Sequence, residues 1–478
     1  MKKNVTKFTL YSGLRTIGGV IASVSYGNNR VIFEFGSAFD PATSVFDGIV
    51  ERRPNHWIGD MLKAGILPRI DGIYRREDLD GFPLDSAEDT SWNTTVFITH
   101  LHLDHMALMG AVAPQVPVYL HRNAQMIERA LEATGEGIPT LEREYTDFEP
   151  DVPIRAGELE VLPILCRDTG YCDFAFLVTT PDGTIHWTGD LCQNSVQAER
   201  TDAQMELLKA KNIDIMLCDA TSFMDSFMEM IYGFTDVSLV RPDPDVPANM
   251  LSERQHREAM RRIICGCRGL CVFNYYTREM DDADFFLCCG KDMGRICAFE
   301  PEAAYVVYKF FAIRPHVYIP DSGRYAAGAE PGWLRELMEH CVVVTRKQIA
   351  KNPGAYLLQN SYRHIMELFG LPGREGVYLH AGGYPVGDFD PAYQNMRRIL
   401  EKAGFKLAAA QDNYLGHSYP GQVKYFVDTV DPDILIPCHS CHPERLLPLH
   451  GRQLLPALNQ TYILEEHRFY PCGNGDET

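Results

Sequence analysis

Two β-rich runs, Val20 to Ser25 and Arg30 to Phe35, are joined across Tyr26-Gly27-Asn28-Asn29, where glycine and asparagine tolerate the positive φ of a tight turn. Phe174 to Thr179 and Thr184 to Thr188 repeat the pattern around Pro181-Asp182-Gly183. Like hairpins so far apart in the chain predict two sheets facing each other in one sandwich. Between them, Thr94 to Ile98 and Val116 to Leu120 read as short buried strands. Ile213 to Cys218 is a further apolar strand, and it runs into Asp219-Ala220-Thr221.

Beyond that strand the pattern changes. Proline and aspartate punctuate Arg241 to Asn249, and Ser252 then caps a helical run. In that run Met260, Ile263, Ile264 and Cys267 form an apolar stripe opposite Arg254, Arg257, Arg261 and Arg262. Apolar strands next alternate with helical segments through Gly269 to Tyr276, Glu302 to Phe311, His316 to Ile319 and Val342 to Thr345. That alternation is the signature of βα units on a mostly parallel sheet. The chain is thus expected in three parts: residues 1–221, an inserted α/β domain over 222–372, and a return segment over 373–478. In the return segment Asp390-Pro391 starts a helix with Met396, Ile399 and Leu400 inward and Gly404 closing it. A later helix carries Val423, Phe426, Val427 and Val430 at helical spacing and stops at Asp431-Pro432. His417 precedes that helix, and Ile434-Leu435-Ile436-Pro437 is a strand delivering Cys438-His439.

Composition narrows the class. The 478 residues, 45% of them hydrophobic, can fill a large core, and the net charge of −19 argues against a general polyanion binder driven by counterion release. The charge is uneven: residues 222–372 hold 17 Lys+Arg against 19 Asp+Glu, a balance of −2, so the flanks carry −17. Many of the 14 cysteines sit in apolar runs, which suits reduced thiols and a cytoplasmic location. The N-terminal run lacks an apolar core and no window reaches about eighteen uninterrupted apolar residues, so neither an export signal nor a membrane span is expected.

The densest chemistry lies in Thr99-His100-Leu101-His102-Leu103-Asp104-His105-Met106, directly after a predicted strand. Imidazoles and a carboxylate are ligands for a divalent ion, and burying them otherwise means finding a hydrogen-bond partner for each. The pattern nominates two metal positions, with His100 and His102 turned toward one and Asp104 and His105 toward the other. Strands leading to His100, to Asp190 in Trp187-Thr188-Gly189-Asp190 and to His439 each place a ligand-type residue at a carboxyl end. One wall of the sandwich would gather them. Asp190, at a strand exit with both oxygens free, suits a bridging carboxylate, and His439 completes the second position.

On these motifs the sequence resembles the metallo-β-lactamase superfamily and, within it, the β-CASP branch, most of all the ribonuclease J-like proteins. His100 to His105 matches the superfamily's second motif, Thr188-Gly189-Asp190 its fourth, and Leu217-Cys218-Asp219-Ala220-Thr221 the branch's acidic motif A. Gly416-His417-Ser418 is similar to motif B and Ile436-Pro437-Cys438-His439-Ser440 to motif C. The resemblance implies an αββα sandwich with an inserted α/β domain of β-CASP type. It also implies a metal-dependent phosphodiesterase acting on single-stranded RNA. One or two zinc ions per chain, or manganese, would be held by His100, His102, Asp104, His105, Asp190 and His439. Asp104, Asp219 and His417 would form the catalytic set, with His417 contacting the scissile phosphate or protonating the leaving oxygen and Asp219 orienting it.

Two positions depart from that pattern. In Leu165-Cys166-Arg167-Asp168-Thr169-Gly170-Tyr171, the match to the third motif, Arg167 stands where a histidine is expected, and a guanidinium cannot bind a metal. The first position is then left with His100, His102 and Asp190 unless Asp168 or Cys166 turns in, since His121 and His186 sit at the wrong strand positions. A weakened first position is expected, with Arg167 lending positive charge to a phosphate or to the carboxylates. Glu34, in Phe33-Glu34-Phe35-Gly36, stands where an aspartate usually stabilises the motif loop.

Two rivals stay open: a small-molecule metallo-hydrolase of the same superfamily, favoured by the net charge and Arg167, and a catalytically silent nucleic-acid-binding relative. Cys265, Cys267, Cys271, Cys288 and Cys289 are expected to be buried free thiols rather than a zinc site, and His442 to be solvated or behind the site. Tyr275, Tyr276 and the insert arginines could line a strand-binding groove by stacking and phosphate contact, a solvated helix face being the commoner explanation for the arginines. The extra C-terminal domain of full-length ribonuclease J relatives is expected to be absent, and the oligomeric state stays open.

Overall fold

A computed structural model describes residues 4–39, 50–168, 170–326, 328, 331–387, 390–409 and 413–473. Thr169 of the third-motif stretch and the first three residues of the N-terminal run lie outside the described residues. The two hairpins form as the turn residues dictate, with Tyr26 opposite Asn29 and Thr180 opposite Gly183. Each belongs to a different seven-stranded sheet. The first runs Arg468–Pro471, Thr461–Glu465, Thr6–Ser12, Ile21–Tyr26, Asn29–Phe33, Asn93–Phe97, Val118–Tyr119. The second runs Arg452–Gln453, Ile434–Cys438, Ile215–Asp219, Gly183–Trp187, Asp173–Thr180, Leu159–Arg167, Ile154–Ala156.

Alternation along the strands sends one set of side chains between the sheets, where Phe8, Val24, Phe33, Phe97, Phe174, Phe176, Trp187, Leu217 and Ile436 share one buried core. Phe33 stacks on Phe176 across the gap, with ring centroids 5.8 Å apart. On the outer face of the first sheet Ile32, Val96 and Ile98 share a core with helices Trp57–Lys63 and Arg122–Thr134. Outside the second, Leu177, Met216 and Cys218 meet helices Ala198–Lys211 and Pro420–Val430. The result is helix, sheet, sheet, helix.

The segment between Asp219 and His417 builds a third, wholly parallel sheet, in the order Val342–Val344, His316–Tyr318, Ile296–Phe299, Tyr356–Gln359, Cys271–Asn274, Val377–His380, Lys406–Ala409. It differs from the pattern-based expectation in two ways. Glu302 to Phe311 is part of a helix, Pro301–Phe311, with proline in its first turn. The insert also passes the expected end at residue 372. Strand Cys271–Asn274 needs a partner on its second edge, and Val377–His380 supplies it, with Lys406–Ala409 beyond. The helix begun by Asp390-Pro391, Pro391–Ala403, therefore packs Tyr393, Met396 and Leu400 against Val272, Leu358 and Tyr378 of this sheet rather than against the sandwich.

Several contacts join insert to sandwich, two of them made without the ligand-type residues. Helix Pro301–Phe311 packs on helix Arg122–Thr134, and Arg278 forms an ion pair with Glu128, Nη1 to Oε2 at 2.5 Å, fully out of water.

Candidate metal centre

Strand direction sets up the site. Gly183–Trp187, Ile215–Asp219 and Ile434–Cys438 are parallel neighbours, so Asp190, Asp219 and His439 leave the second sheet at one end. In the first sheet Asn29–Phe33 runs parallel to Asn93–Phe97 with Phe33 opposite Phe97, which brings Glu34 against Thr99, the residue before His100. The ligand-type residues thus come from both sheets rather than from one wall, because the strand before His100 hydrogen-bonds into the first hairpin.

After His102 the chain turns into the short helix Leu103–Met106, which carries Asp104 and His105. This turn is clasped by two glycines: a Cβ on Gly36 would lie 1.7 Å from the Asp104 carbonyl oxygen, and one on Gly18 would lie 2.2 Å from the Asp104 Cβ. Glu34 takes a left-handed φ of 59°. Its carboxylate accepts the Thr99 hydroxyl at 2.5 Å and the Trp187 indole N–H at 2.9 Å.

Three groups of candidate ligands result, each with its atoms within 4.8 Å of one another: His100, His102 and Asp190; Asp104, His105 and His439; Asp190, His417 and His439. His105 Nε2 lies 3.0 Å from Asp190 Oδ1, His439 Nε2 3.0 Å from Asp104 Oδ2, and His100 Nε2 3.6 Å from Asp190 Oδ2. The opposite ring nitrogens are held from behind. Thr99 Oγ1 meets His100 Nδ1 at 2.9 Å, Glu34 Oε1 stands 3.4 Å from His105 Nδ1, and Asp219 Oδ2 takes His417 Nδ1 at 2.8 Å. Thr221 donates its hydroxyl to Asp219 at 2.6 Å and accepts His439 Nδ1–H at 2.6 Å.

The charges are compatible with a bound cation. Burial pushes the His100 ring far below its ordinary pKa, assisted by His105 and His102, so it is a neutral donor. Burial also works against ionising Asp104 and Asp190, yet the adjacent histidines hold both carboxyls below the usual range. For His105 burial is outweighed by Asp190, Asp104 and Glu34, which favour a proton there. A divalent ion satisfies the same carboxylates and displaces such a proton. His105 Nε2 and Asp190 Oδ1 are buried and face each other at 3.0 Å without a well-aligned hydrogen bond, and neither has another partner. Ligand atoms so poorly satisfied by protein, in groups that could hold an ion, fit a metal.

The third-motif stretch takes no part in the three groups. Arg167 Nε lies 3.2 Å from Asp173 Oδ2. Cys166 turns its thiol toward Gln204 at 3.6 Å and Asp168 faces Arg200 at 3.2 Å, so neither turns in. His121 packs among Phe148 and Phe174, and His186 donates Nδ1–H to the Phe176 carbonyl at 3.1 Å. His442 stands beside Glu444 at 3.2 Å. Cys265 and Cys288 are exposed, Cys267, Cys271 and Cys289 buried, and among the described residues no candidate ligand group includes a cysteine. Tyr275 is buried in the insert core, whereas Tyr276 brings its ring centroid to 5.4 Å from that of His102. Arg257 and Arg261 pair with Glu253 and Asp292.

Sequence reasoning missed Glu279. It reaches in from the insert, placing Oε1 2.6 Å from His102 Nε2 and 2.9 Å from the Tyr171 hydroxyl. Its local signal, an acidic residue ahead of Asp281 and Asp282 at the start of helix Met280–Asp292, is that of an ordinary helix N-terminus.

No family model and no curated protein matches the chain. A solved structure of a protein of unknown function from Enterococcus faecalis V583 is similar in fold: 23% identity, 96% of this chain and 100% of that one covered, TM-score 0.73. The metallo-beta-lactamase fold protein YhfI from Bacillus subtilis aligns over 47% of this chain and 76% of its own at 17% identity, with a TM-score of 0.29, too loose a superposition to carry an argument. No described helix is long and apolar enough to cross a membrane.

Proposed function

We propose that the chain is a metal-dependent hydrolase of the metallo-β-lactamase kind, β-CASP branch, that cleaves phosphodiester bonds in single-stranded RNA. The observation that carries this reading is the convergence of His100, His102, Asp104, His105, Asp190 and His439 into groups that could hold a metal ion. Zinc or manganese held there supplies Lewis-acid charge for a substrate oxygen and a lowered pKa for water.

The remaining steps belong to the chain. Asp190 turns Oδ1 toward His105 and Oδ2 toward His100 and His417, so it can serve both positions at once. Asp219 fixes the His417 ring through Nδ1 and leaves Nε2 facing the site, 3.8 Å from Asp190. Burial disfavours charge on that ring, but the Asp219 and Asp190 carboxylates outweigh it and push its pKa up to about 9. A histidine protonated at neutral pH can give its Nε2 proton to a leaving oxygen.

A second reading, hydrolysis of a small thioester, lactone or phosphoester, is favoured by the net charge of −19 and by Arg167 standing at the third-motif position, paired with Asp173. Incubation with 5′-phosphorylated single-stranded RNA and Mn²⁺ or Zn²⁺ separates the two. Cleavage that disappears in His105→Ala supports the nuclease. Turnover of a small ester or thioester with intact RNA supports the second reading, and RNA binding without cleavage supports a silent relative.

A further inference from the structure

The histidines of the centre are held in two different ways. Four of them, His100, His105, His417 and His439, have the outward ring nitrogen faced by Thr99, Glu34, Asp219 and Thr221, all of the sandwich. His102 Nε2 has its shortest contact with the insert, Glu279 Oε1 at 2.6 Å, while the sandwich's Tyr171 hydroxyl stands farther off at 3.2 Å. A metal-bound histidine characteristically donates its other N–H to a carboxylate, carbonyl or hydroxyl, which sets the tautomer and makes the ligand nitrogen more basic. With Nε2–H given to Glu279, Nδ1 is the nitrogen of His102 left for an ion.

The carboxylate is itself well anchored. Tyr171 donates its hydroxyl to the same oxygen at 2.9 Å. The preceding residue, Arg278, is tied to Glu128 on helix Arg122–Thr134 and also donates to the carbonyl of Leu101, between His100 and His102, at 3.3 Å. Arg278 and Glu279 therefore grip the motif loop at consecutive points, one on its backbone and one on its ligand ring. This is the position that lacks the third-motif histidine, since Arg167 is paired with Asp173.

Building on the metal-centre reading, we propose that Glu279 is the positioning residue for His102, so that the first metal position is complete only when the insert is docked on the sandwich. Occupancy of that position then reports the placement of the insert, whereas the second position, built from sandwich residues alone, does not.

Zn²⁺ or Co²⁺ titration of the full-length chain, stripped of metal and followed by competition with a chromophoric chelator, tests this alongside the Co²⁺ d–d spectrum. Wild type is expected to show two classes of site. Glu279→Ala weakens the first about 10–100-fold, the range for loss of such an outer partner, alters its cobalt bands and leaves the second class unchanged. Glu279→Gln, nearly isosteric and still a hydrogen-bond acceptor, falls between the two, and it carries the test if the alanine variant fails to fold by near-UV circular dichroism. A folded Glu279→Ala that binds both ions as wild type does overturns the inference and leaves the metal centre standing. Equal weakening of both classes, or a wild type with only one class, also overturns it. Wild type that binds no ion overturns the metal-centre reading as well.

Discussion

The Arg278–Glu128 pair is the most exacting place to perturb the seam between insert and sandwich. Both side chains are almost wholly buried, at 3% and 0% exposure. Glu128 has one further donor, the Ile138 backbone N–H on Oε1 at 3.0 Å. In Arg278→Met the carboxylate keeps that single bond and loses its counter-ion, a change worth about 3–5 kcal/mol when one partner of a buried pair is removed. Arg278 Nη2 is buried without an acceptor, which makes the native pair imperfect and favours the lower end, about 3 kcal/mol. Adding Glu128→Gln removes the stranded charge while its amide oxygen can still accept from Ile138, so the double variant should recover about 2 kcal/mol of that loss. Urea unfolding followed by far-UV circular dichroism reads both effects: at a slope of about 3 kcal/mol/M, Arg278→Met moves the midpoint down by about 1 M. A double variant whose loss equals the sum of the single losses refutes the reasoning, because independent sites add and a charge pair does not.

Burial holds His186 down at about 3, against an ordinary 6.5, with only its bond to the Phe176 carbonyl opposing. A depressed histidine contributes stability that is full above 6.5 and is lost as pH falls from there toward 3. At pH 5 that is 1.5 units, or about 2 kcal/mol. Unfolding free energies should therefore fall by about 2 kcal/mol less in His186→Gln than in wild type between pH 7.5 and 5, and parallel curves would contradict this. Gly36→Ala puts a methyl 1.7 Å from the Asp104 carbonyl oxygen. Elemental analysis should show metal lost from the second position, and stoichiometric metal in that variant would show that the clasp is not needed. Arg167→His should raise metal per chain by offering the first position another ring. It also frees Asp173, whose carboxyl, pushed up to about 6 by burial against the pull of Arg167, can take a proton. Unchanged metal content would place residue 167 outside the centre.

Local chemistry made some of this fold legible. Gly27-Asn28 and Pro181-Asp182 turn their hairpins between directly paired residues, as their local sequence predicts. Ser252 with Gln255 forms a complete capping box, and Met260 and Ile264 of the predicted stripe are buried. Other elements had no local signature. Ile296–Phe299 and Tyr356–Gln359 are four-residue strands defined by parallel neighbours brought from far along the chain. Val377–His380 was assigned to the return segment because nothing within it shows that Cys271–Asn274 needs its second edge filled. A parallel strand is recognised by its partners, and the sequence places those at a distance.

The site divides along the same line. His100 to His105 are close in sequence because one turn must present them all, so spacing alone nominated them. Asp190, Asp219 and His439 were legible one strand at a time, each at the end of an apolar run, while their meeting depended on parallel pairing. Glu279 and Thr221 act through other side chains, and such residues need only the right atom at the right distance. Arg167 was legible as a departure, but its consequence was not. Reading it as a lost ligand assumes that the sandwich alone builds the first position. Glu279 on His102 ties that position to a second folding unit, and a ligand set divided between two units can lose a member from one without losing its geometry, provided the other unit holds the remaining ring in place.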